Sequence, residues 1–256
     1  MPEIIYHYTS NDVLVKILSG KALRMSARHH LNDTMEGEQF FTLLNKHKSQ
    51  PNQATLDSVR RHLEPFEFFV TCFSSHHDLL SQWRGYATNG AGVAIGFKKK
   101  SITSAIKGSH EVLLYKVAYA GCPNELPPER LQVIDAIFSS SGVPGPEAVQ
   151  SFAKERWAIK PNGFAEEQES RLILTLDTST QRMKPTTKGL EIGYHATTTE
   201  VREFCDFRFG DFEELDFIES ITLGPNNRTD VDALKRHLAN MGFGDVQVNR
   251  SAISYR

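Results

Sequence analysis

The chain has 256 residues, 39% of them hydrophobic and 23% charged, which is enough apolar material for one large domain or two small ones. A formal net charge of -2 excludes the overall basic field of a dedicated duplex-binding protein, while leaving open a nucleic-acid substrate held in a small basic groove. Cys72, Cys122 and Cys205 are far apart and form no CxxC or Cys/His spacing, so neither a disulfide framework nor a structural zinc is indicated and free thiols are expected.

Ile4 to Tyr8 is short and rich in β-formers, and Ser10 is placed to cap a helix over 11–19, in which Leu14, Ile17 and Leu18 share a face. Gly20 is the expected stop, followed by an extended piece from Ala22 to Ser26. Leu31-Asn32-Asp33 marks a turn into a helical stretch containing Glu36 and Phe40. Leu56, Val59 and Leu63 define an amphipathic helix ending at Pro65. Phe68 to Ser74 (FFVTCFS) has the length and composition of a buried strand. Asp78 to Ala87 predicts a short helix with Leu79, Leu80, Trp83 and Tyr86 on one side. Asn89-Gly90 is a turn, Gly92 to Phe97 another buried strand, and Val112 to Tyr119 a further strand.

Five prolines and a Ser-Ser-Ser-Gly run change the character of residues 120–148. They predict an elaborated connection, with a helix near Arg130 to Phe138, inside a single domain spanning 1–256. A helix from about Glu147 to Ile159 follows and is broken at Lys160-Pro161-Asn162-Gly163. Glu167 to Leu176 reads as a strand with Glu167, Glu169 and Arg171 on one side and Leu172, Leu174 and Leu176 on the other. The remainder predicts strands near Leu190–Tyr194 and Ile218–Leu223, a turn at Gly224-Pro225, a helix bearing Val231, Leu234, Leu238 and Met241, and strands near Val246–Val248 and Ile253–Tyr255. Strands and helices without steady βαβ alternation favour an α+β fold. The first residues lack the basic start and apolar run of a signal peptide, and no window approaches a membrane span. The expected location is the cytoplasm, with no membrane association.

Three clusters carry candidate chemistry. His7, with Tyr8, Thr9 and Ser10, sits at a strand end, where a histidine can hold a ribose hydroxyl; equally it is a satisfied interior residue. Ser81, Gln82, Trp83, Arg84 and Tyr86 offer aromatic faces for a planar heteroaromatic ring and a guanidinium for a phosphate; the alternative is an aromatic core stripe with a surface arginine. Glu167, Glu169 and Arg171 are costly to bury without a use, and carboxylates near a glycosidic carbon stabilise an oxocarbenium-like transition state. The alternative is a solvated strand face with a salt bridge. His29-His30 and His76-His77 are adjacent pairs that point apart, and no GxGxxG, Walker loop, HExxH or GxSxG occurs. Lys98-Lys99-Lys100 reads as a solvated strand end.

Taken in order, YHYTS, SGKALRMS, LND, CFS, LLSQWRGY, GAGVAIGF, KPNGFAEEQESRLI, LGP and ISYR resemble a widespread bacterial family of unknown function along nearly the whole chain. That pattern is in turn similar to the ADP-ribosyltransferase superfamily. The resemblance implies split mixed or antiparallel sheets with flanking helices and NAD⁺ as substrate, with no metal. It makes His7, beside Tyr8 and Thr9, the ribose binder, and Tyr86 with Trp83 the nicotinamide platform near Ser81 and Arg84. Glu169 becomes the catalytic carboxylate, Glu167 its Glu-x-Glu companion, and Arg171 the group that keeps both ionised. The sequence departs from the superfamily at Tyr8, where members that use His often carry Gly. The acceptor implied is a protein, a nucleic acid or water. The biological settings implied are a toxin or phage-defence effector with an antitoxin or regulatory partner. Two other classes stay open: a non-catalytic module binding NAD⁺, ADP-ribose or a nucleotide, and a nuclease-like hydrolase with Glu36, Glu167 and Glu169 around a divalent metal. The expected cleft holds Glu167, Glu169 and Arg171 on one exposed strand face, converging with His7 and Tyr86.

Overall fold

The computed structural model describes residues 3–30, 37–48, 51, 53–139, 152–180 and 184–254. The turn at Leu31-Asn32-Asp33 and Glu36 lie outside them, as do residues 147–151 of the helix expected at Glu147–Ile159. The chain opens with β1 (Ile4–Thr9), α1 (Asn11–Gly20) and β2 (Leu23–Ala27). Leu14, Ile17 and Leu18 bury one stripe of α1, and the helix closes on Lys21 in the left-handed region (φ 44°), whose N–H donates to the Ile17 carbonyl. The chain therefore turns one residue after the expected glycine. Ser10 occupies the cap position, but its hydroxyl donates to the Asp12 carboxylate and caps no backbone N–H.

Next come α2 (Glu38–Asn45), α3 (Gln53–Leu63), β3 (Phe66–Ser74), α4 (Leu80–Tyr86), β4 (Val93–Lys98), α5 (Lys99–Ala105), β5 (Val112–Lys116), β6 (Ala118–Tyr119) and α6 (Pro128–Ser139). After a helical stretch at residues 152–156 the chain forms β7 (Ile159–Lys160), a 3-10 turn (Asn162–Glu167) and β8 (Glu169–Asp177). It ends with β9 (Leu190–Ala196), β10 (Val201–Phe207), β11 (Ile218–Leu223), α7 (Val231–Asn240) and β12 (Gln247–Arg250). Of the last strand expected near Ile253–Tyr255, Ile253 and Ser254 are irregular and Tyr255 lies outside the described residues. The fold is α+β: a mixed sheet of mostly antiparallel strands, with a separate parallel pair formed by β6 and β7.

Among the described residues ten strands form the main sheet, and it forks at β3. One edge of β3 pairs along its whole length with β8, from Phe66 opposite Asp177 to Ser74 opposite Glu169, and β8 then carries β5. The other edge is shared. β2 takes Phe69 and Val70, while β1 takes only Ser74, through Tyr6. From β1 the sheet continues through β4, β11 and β12, and from β2 through β10 to β9. The strand expected over Val112–Tyr119 is two strands for a related reason. Val117 N–H reaches the Glu169 carbonyl, at which β8 begins, so Ala118 and Tyr119 turn away to pair with Ile159 and Lys160.

Both faces of β8 are covered. Leu172, Leu174 and Leu176 enter one core with Phe69, Phe73, Ile95 and Phe97, under α1, α5 and α7. Ile173 enters a second core with Phe66, Phe68 and Val70, under α2, α3, α6 and residues 152–159. Every residue from Glu169 to Leu176 is buried. The expectation of an exposed charged face is thus overturned: the leucines need a dry core, and the second layer dries the opposite face as well. No helix among the described residues is long and apolar enough to cross a membrane.

Candidate active site

The site lies where β1 and β3 part. Beyond the Tyr6–Ser74 pair, the Cys72 carbonyl is met by a side chain: His7 Nδ1 stands 3.0 Å from it. A carbonyl only accepts, so Nδ1 carries the proton and Nε2 of the neutral ring is left as an acceptor. Burial lowers the His7 pKa, and the Cys72 hydrogen bond opposes that shift without overcoming it; the ring is neutral at neutral pH. Removing the ring strips a partner from a fork carbonyl, so His7→Ala is expected to cost about 1–3 kcal/mol in urea denaturation. An unchanged midpoint would show that the fork closes without His7.

The carboxylates come from the start of β8 and the turn before it. Glu169 is the first residue of β8, whereas Glu167 ends the 3-10 turn, with Gln168 between them in the left-handed region (φ 41°). The expected strand therefore starts two residues late, and Glu167 approaches its neighbour across a bend and not by strand alternation. The bend is fastened from β3: Ser74 Oγ donates to the Glu167 carbonyl at 2.8 Å and Ser75 N–H to the Gln168 carbonyl at 3.2 Å. A non-glycine residue in this region costs roughly 1–2 kcal/mol, and such strain concentrates where a functional geometry is being held.

Glu167, Glu169, Lys160 and Arg171 form one buried ionic network. Arg171 is 1% exposed and grips Glu169 at both ends, Nε–Oε1 at 2.9 Å and Nη2–Oε2 at 3.1 Å, while Nη1 donates to the Trp157 carbonyl at 3.0 Å. Lys160 Nζ lies 2.7 Å from Glu167 Oε2 and 3.1 Å from Glu169 Oε2. Burial pushes the Glu169 pKa up, but Arg171 and Lys160 outweigh it and hold the carboxyl below its ordinary range. Burial likewise opposes the charge on Lys160, and the two carboxylates reverse that and raise its pKa. The Tyr119 hydroxyl accepts the Glu169 main-chain N–H at 2.8 Å.

These groups meet at a small cavity of about 60 Å³ lined by His7, Tyr8, Cys72, Phe73, Ser74, Gln82, Tyr86, Glu167 and Glu169. The two carboxylates line it, while their cations, Lys160 and Arg171, do not. The acidic members of the network thus border the cavity and the basic members stand outside its lining. Helix α4 presents three faces. Gln82 and Tyr86, four apart, line the cavity. Trp83 and Ala87 join Tyr8 and Ala94 in a small core. Ser81, Arg84 and Gly85 lie along a separate surface depression with Glu166. Tyr86 remains 42% exposed, and burial, with Glu167 next in effect, pushes its hydroxyl pKa up to about 12.

Several expected site residues have other duties. Trp83 is wholly buried, its Nε1 donating to Asp78 at 2.6 Å and its ring edge-on to Tyr8 at 4.8 Å between centroids; it cannot stack on a ligand. Asp78 also accepts from Ser251 Oγ and Ala252 N–H, tying the tail to this helix. The Tyr8 hydroxyl donates to the His76 carbonyl and accepts from Leu79 N–H, so Tyr8 lines the cavity as a fixed wall. Thr9 is buried opposite Val93 and does not line the cavity. Ser81 Oγ is buried without a hydrogen-bond partner among the described residues, on the far side of α4 with Arg84. Sequence reasoning missed Lys160, placed in a loop-breaking run, and gave no role to Tyr119, Ser74 or Cys72. Among the described residues no group of three or more His, Cys, Asp and Glu side chains is arranged to hold a metal.

A family model described as "Protein of unknown function (DUF2971)" matches residues 82–172, a stretch that contains Gln82, Tyr86, Tyr119, Lys160, Glu167, Glu169 and Arg171 but not His7 or Cys72. No curated protein and no solved structure matches the chain.

Proposed function

We propose that this protein cleaves the nicotinamide–ribose bond of NAD⁺ and transfers ADP-ribose to an acceptor. The observation that carries this reading is one cavity at a forked sheet lined by His7 from β1, Tyr86 from α4 and Glu169 from β8. The sign of the charge matters. Glu167 and Glu169 line the cavity and the cations that pair with them do not, an order of charge that supports a ligand that is cationic or becomes so. The pyridinium ring of NAD⁺ is the first case, and the ribose as its bond to nicotinamide breaks is the second.

Each lining group then has a task. The Tyr86 ring offers a face to the nicotinamide, and His7 Nε2 accepts a ribose hydroxyl proton. Glu169, ionised and fixed at both oxygens by Arg171, stabilises the developing oxocarbenium. Glu167 orients or deprotonates the acceptor. Lys160 and Arg171 are positioning residues.

Incubation with NAD⁺, with and without EDTA, tests the reading. Free nicotinamide released in both conditions is expected, along with a mass increase on a co-incubated macromolecule. NAD⁺ binding without turnover would replace the enzyme with a sensor module, and release abolished by EDTA would move the chemistry to a metal. The stacking role separates ring from hydroxyl: Tyr86→Phe should keep KM within about threefold, and Tyr86→Ala should raise it about tenfold. Equal effects of the two changes would assign Tyr86 to its hydroxyl instead.

A further inference from the structure

Far along the sheet from the cavity, β9 is an edge strand with no proline, no lysine and no bulge, and with Glu191 as its one acidic residue. Edge strands are ordinarily kept short, bulged, or marked with lysine or proline, because their free N–H and C=O groups invite another strand. β9 has seven residues, Leu-Glu-Ile-Gly-Tyr-His-Ala, with no lysine and no proline. Its pairing with β10 runs unbroken from Leu190–Phe207 to Ala196–Val201. Among the described residues β10 is its only partner. The hairpin also leaves Tyr194 and Val201 64% and 68% exposed.

The ladder says which groups are free. Arg208 N–H donates to the Gly189 carbonyl at 2.7 Å and Thr197 N–H to the Glu200 carbonyl at 2.8 Å, at the two ends of the hairpin. In an antiparallel ladder hydrogen-bonded pairs alternate with the others. The odd-numbered residues of β9 therefore bond to β10, and Ile192, Tyr194 and Ala196 turn their N–H and C=O to the open edge.

The geometry points to a second copy of this chain as the occupant of that edge, paired antiparallel about a two-fold axis at Gly193. Only even-numbered residues can exchange hydrogen bonds there, so the choice of register is small. Centring on Gly193 pairs all seven residues. Ile192 bonds to Tyr194 of the second copy and Tyr194 to its Ile192. Glu191 faces His195 of the second copy, twice, in the non-hydrogen-bonded positions where Cα atoms approach to about 4.5 Å and an imidazole N–H can donate to a carboxylate. Shifting the axis to Ile192 sets Glu191 against Gly193, and shifting it to Tyr194 sets His195 against Gly193; both lose the carboxylate–imidazole pair. Glu191 already accepts from Arg208 at 3.0 Å, and a carboxylate accepts several donors. The site at β1, β3 and β8 plays no part, so the inference is independent of the NAD⁺ reading. Seven paired residues are a small interface, so the dimer is a reversible one.

Sedimentation velocity on the full chain, from low micromolar to several hundred micromolar, is expected to show a monomer–dimer equilibrium. Tyr194→Pro removes an outward N–H without touching the β10 ladder, a placement that edge strands tolerate, and should raise the dimer dissociation constant about tenfold or more. The register is read by Glu191→Cys/His195→Cys. These positions are about 13 Å apart within one strand, too far for an internal disulfide, but opposite each other across the axis. Mild oxidation should give a covalent dimer from the double variant and not from either single variant or the parent chain. A wild-type monomer at every concentration, unchanged dimerisation of Tyr194→Pro, or equal cross-linking of the single and double variants would overturn the proposal.

Discussion

Replacing Glu169 by glutamine is expected to lower nicotinamide release from NAD⁺ by about 10²-fold or more, the scale of losing one preorganised electrostatic group. Glutamine keeps the size of the side chain and removes its charge, which is the quantity the transition state uses. This substitution is not silent for folding, as it would be on an open strand face. Glu169 is 6% exposed, with Arg171 on both oxygens and Lys160 at 3.1 Å. With glutamine there, two buried cations share the single carboxylate of Glu167. The melting temperature should therefore fall, and turnover has to be expressed per folded molecule, with NAD⁺ binding measured alongside. Glu167→Gln is the comparison: it should impair transfer to the acceptor more than release of nicotinamide. Near wild-type release from Glu169→Gln would shift the catalytic role to Glu167, and near wild-type release from both would end the enzyme reading.

Arg171→Met carries the largest expected effect on stability, about 3–5 kcal/mol in urea denaturation, because breaking one side of a buried pair strands the other charge. Glu169→Leu/Arg171→Met should regain much of the loss, since two apolar side chains can replace a buried pair at little cost. Acid titration supplies the sign. Burial pushes the Glu169 carboxyl up, but Arg171 and Lys160 hold it below its ordinary value, so the folded state binds its proton later than the unfolded chain does. Its contribution is complete above the unfolded value of about 4.3 and is lost as pH falls through the lower native value. Wild-type stability should fall across that acid window, and Arg171→Met should show a shallower fall. A destabilisation below about 1 kcal/mol for Arg171→Met would mean that the network is hydrated and far weaker than its geometry implies.

What the sequence determined by itself was local. The FFVTCFS run and the spacing of Leu14, Ile17 and Leu18 specify β3 and α1, because a strand or helix is set by side-chain periodicity and the need to bury one face. The alternation from Glu169 onward likewise placed Leu172, Leu174 and Leu176 in a dry core. Which side of an element meets solvent is not local. The charged side of β8 is buried because a second layer, from residues remote in the chain, packs over it. Trp83 and Tyr86 looked equivalent at helical spacing; only the docking of α4 against Tyr8 sends one into a core and leaves the other at the cavity. Gln168 carries no mark of its left-handed turn, yet that turn takes Glu167 off the strand. Lys160 reaches both carboxylates only because β7 pairs with β6, and no spacing along the chain records a contact made by strand pairing. Charge partners and burial are properties of packed surfaces, so they were decided when the fork, the two cores and the short parallel pair came together.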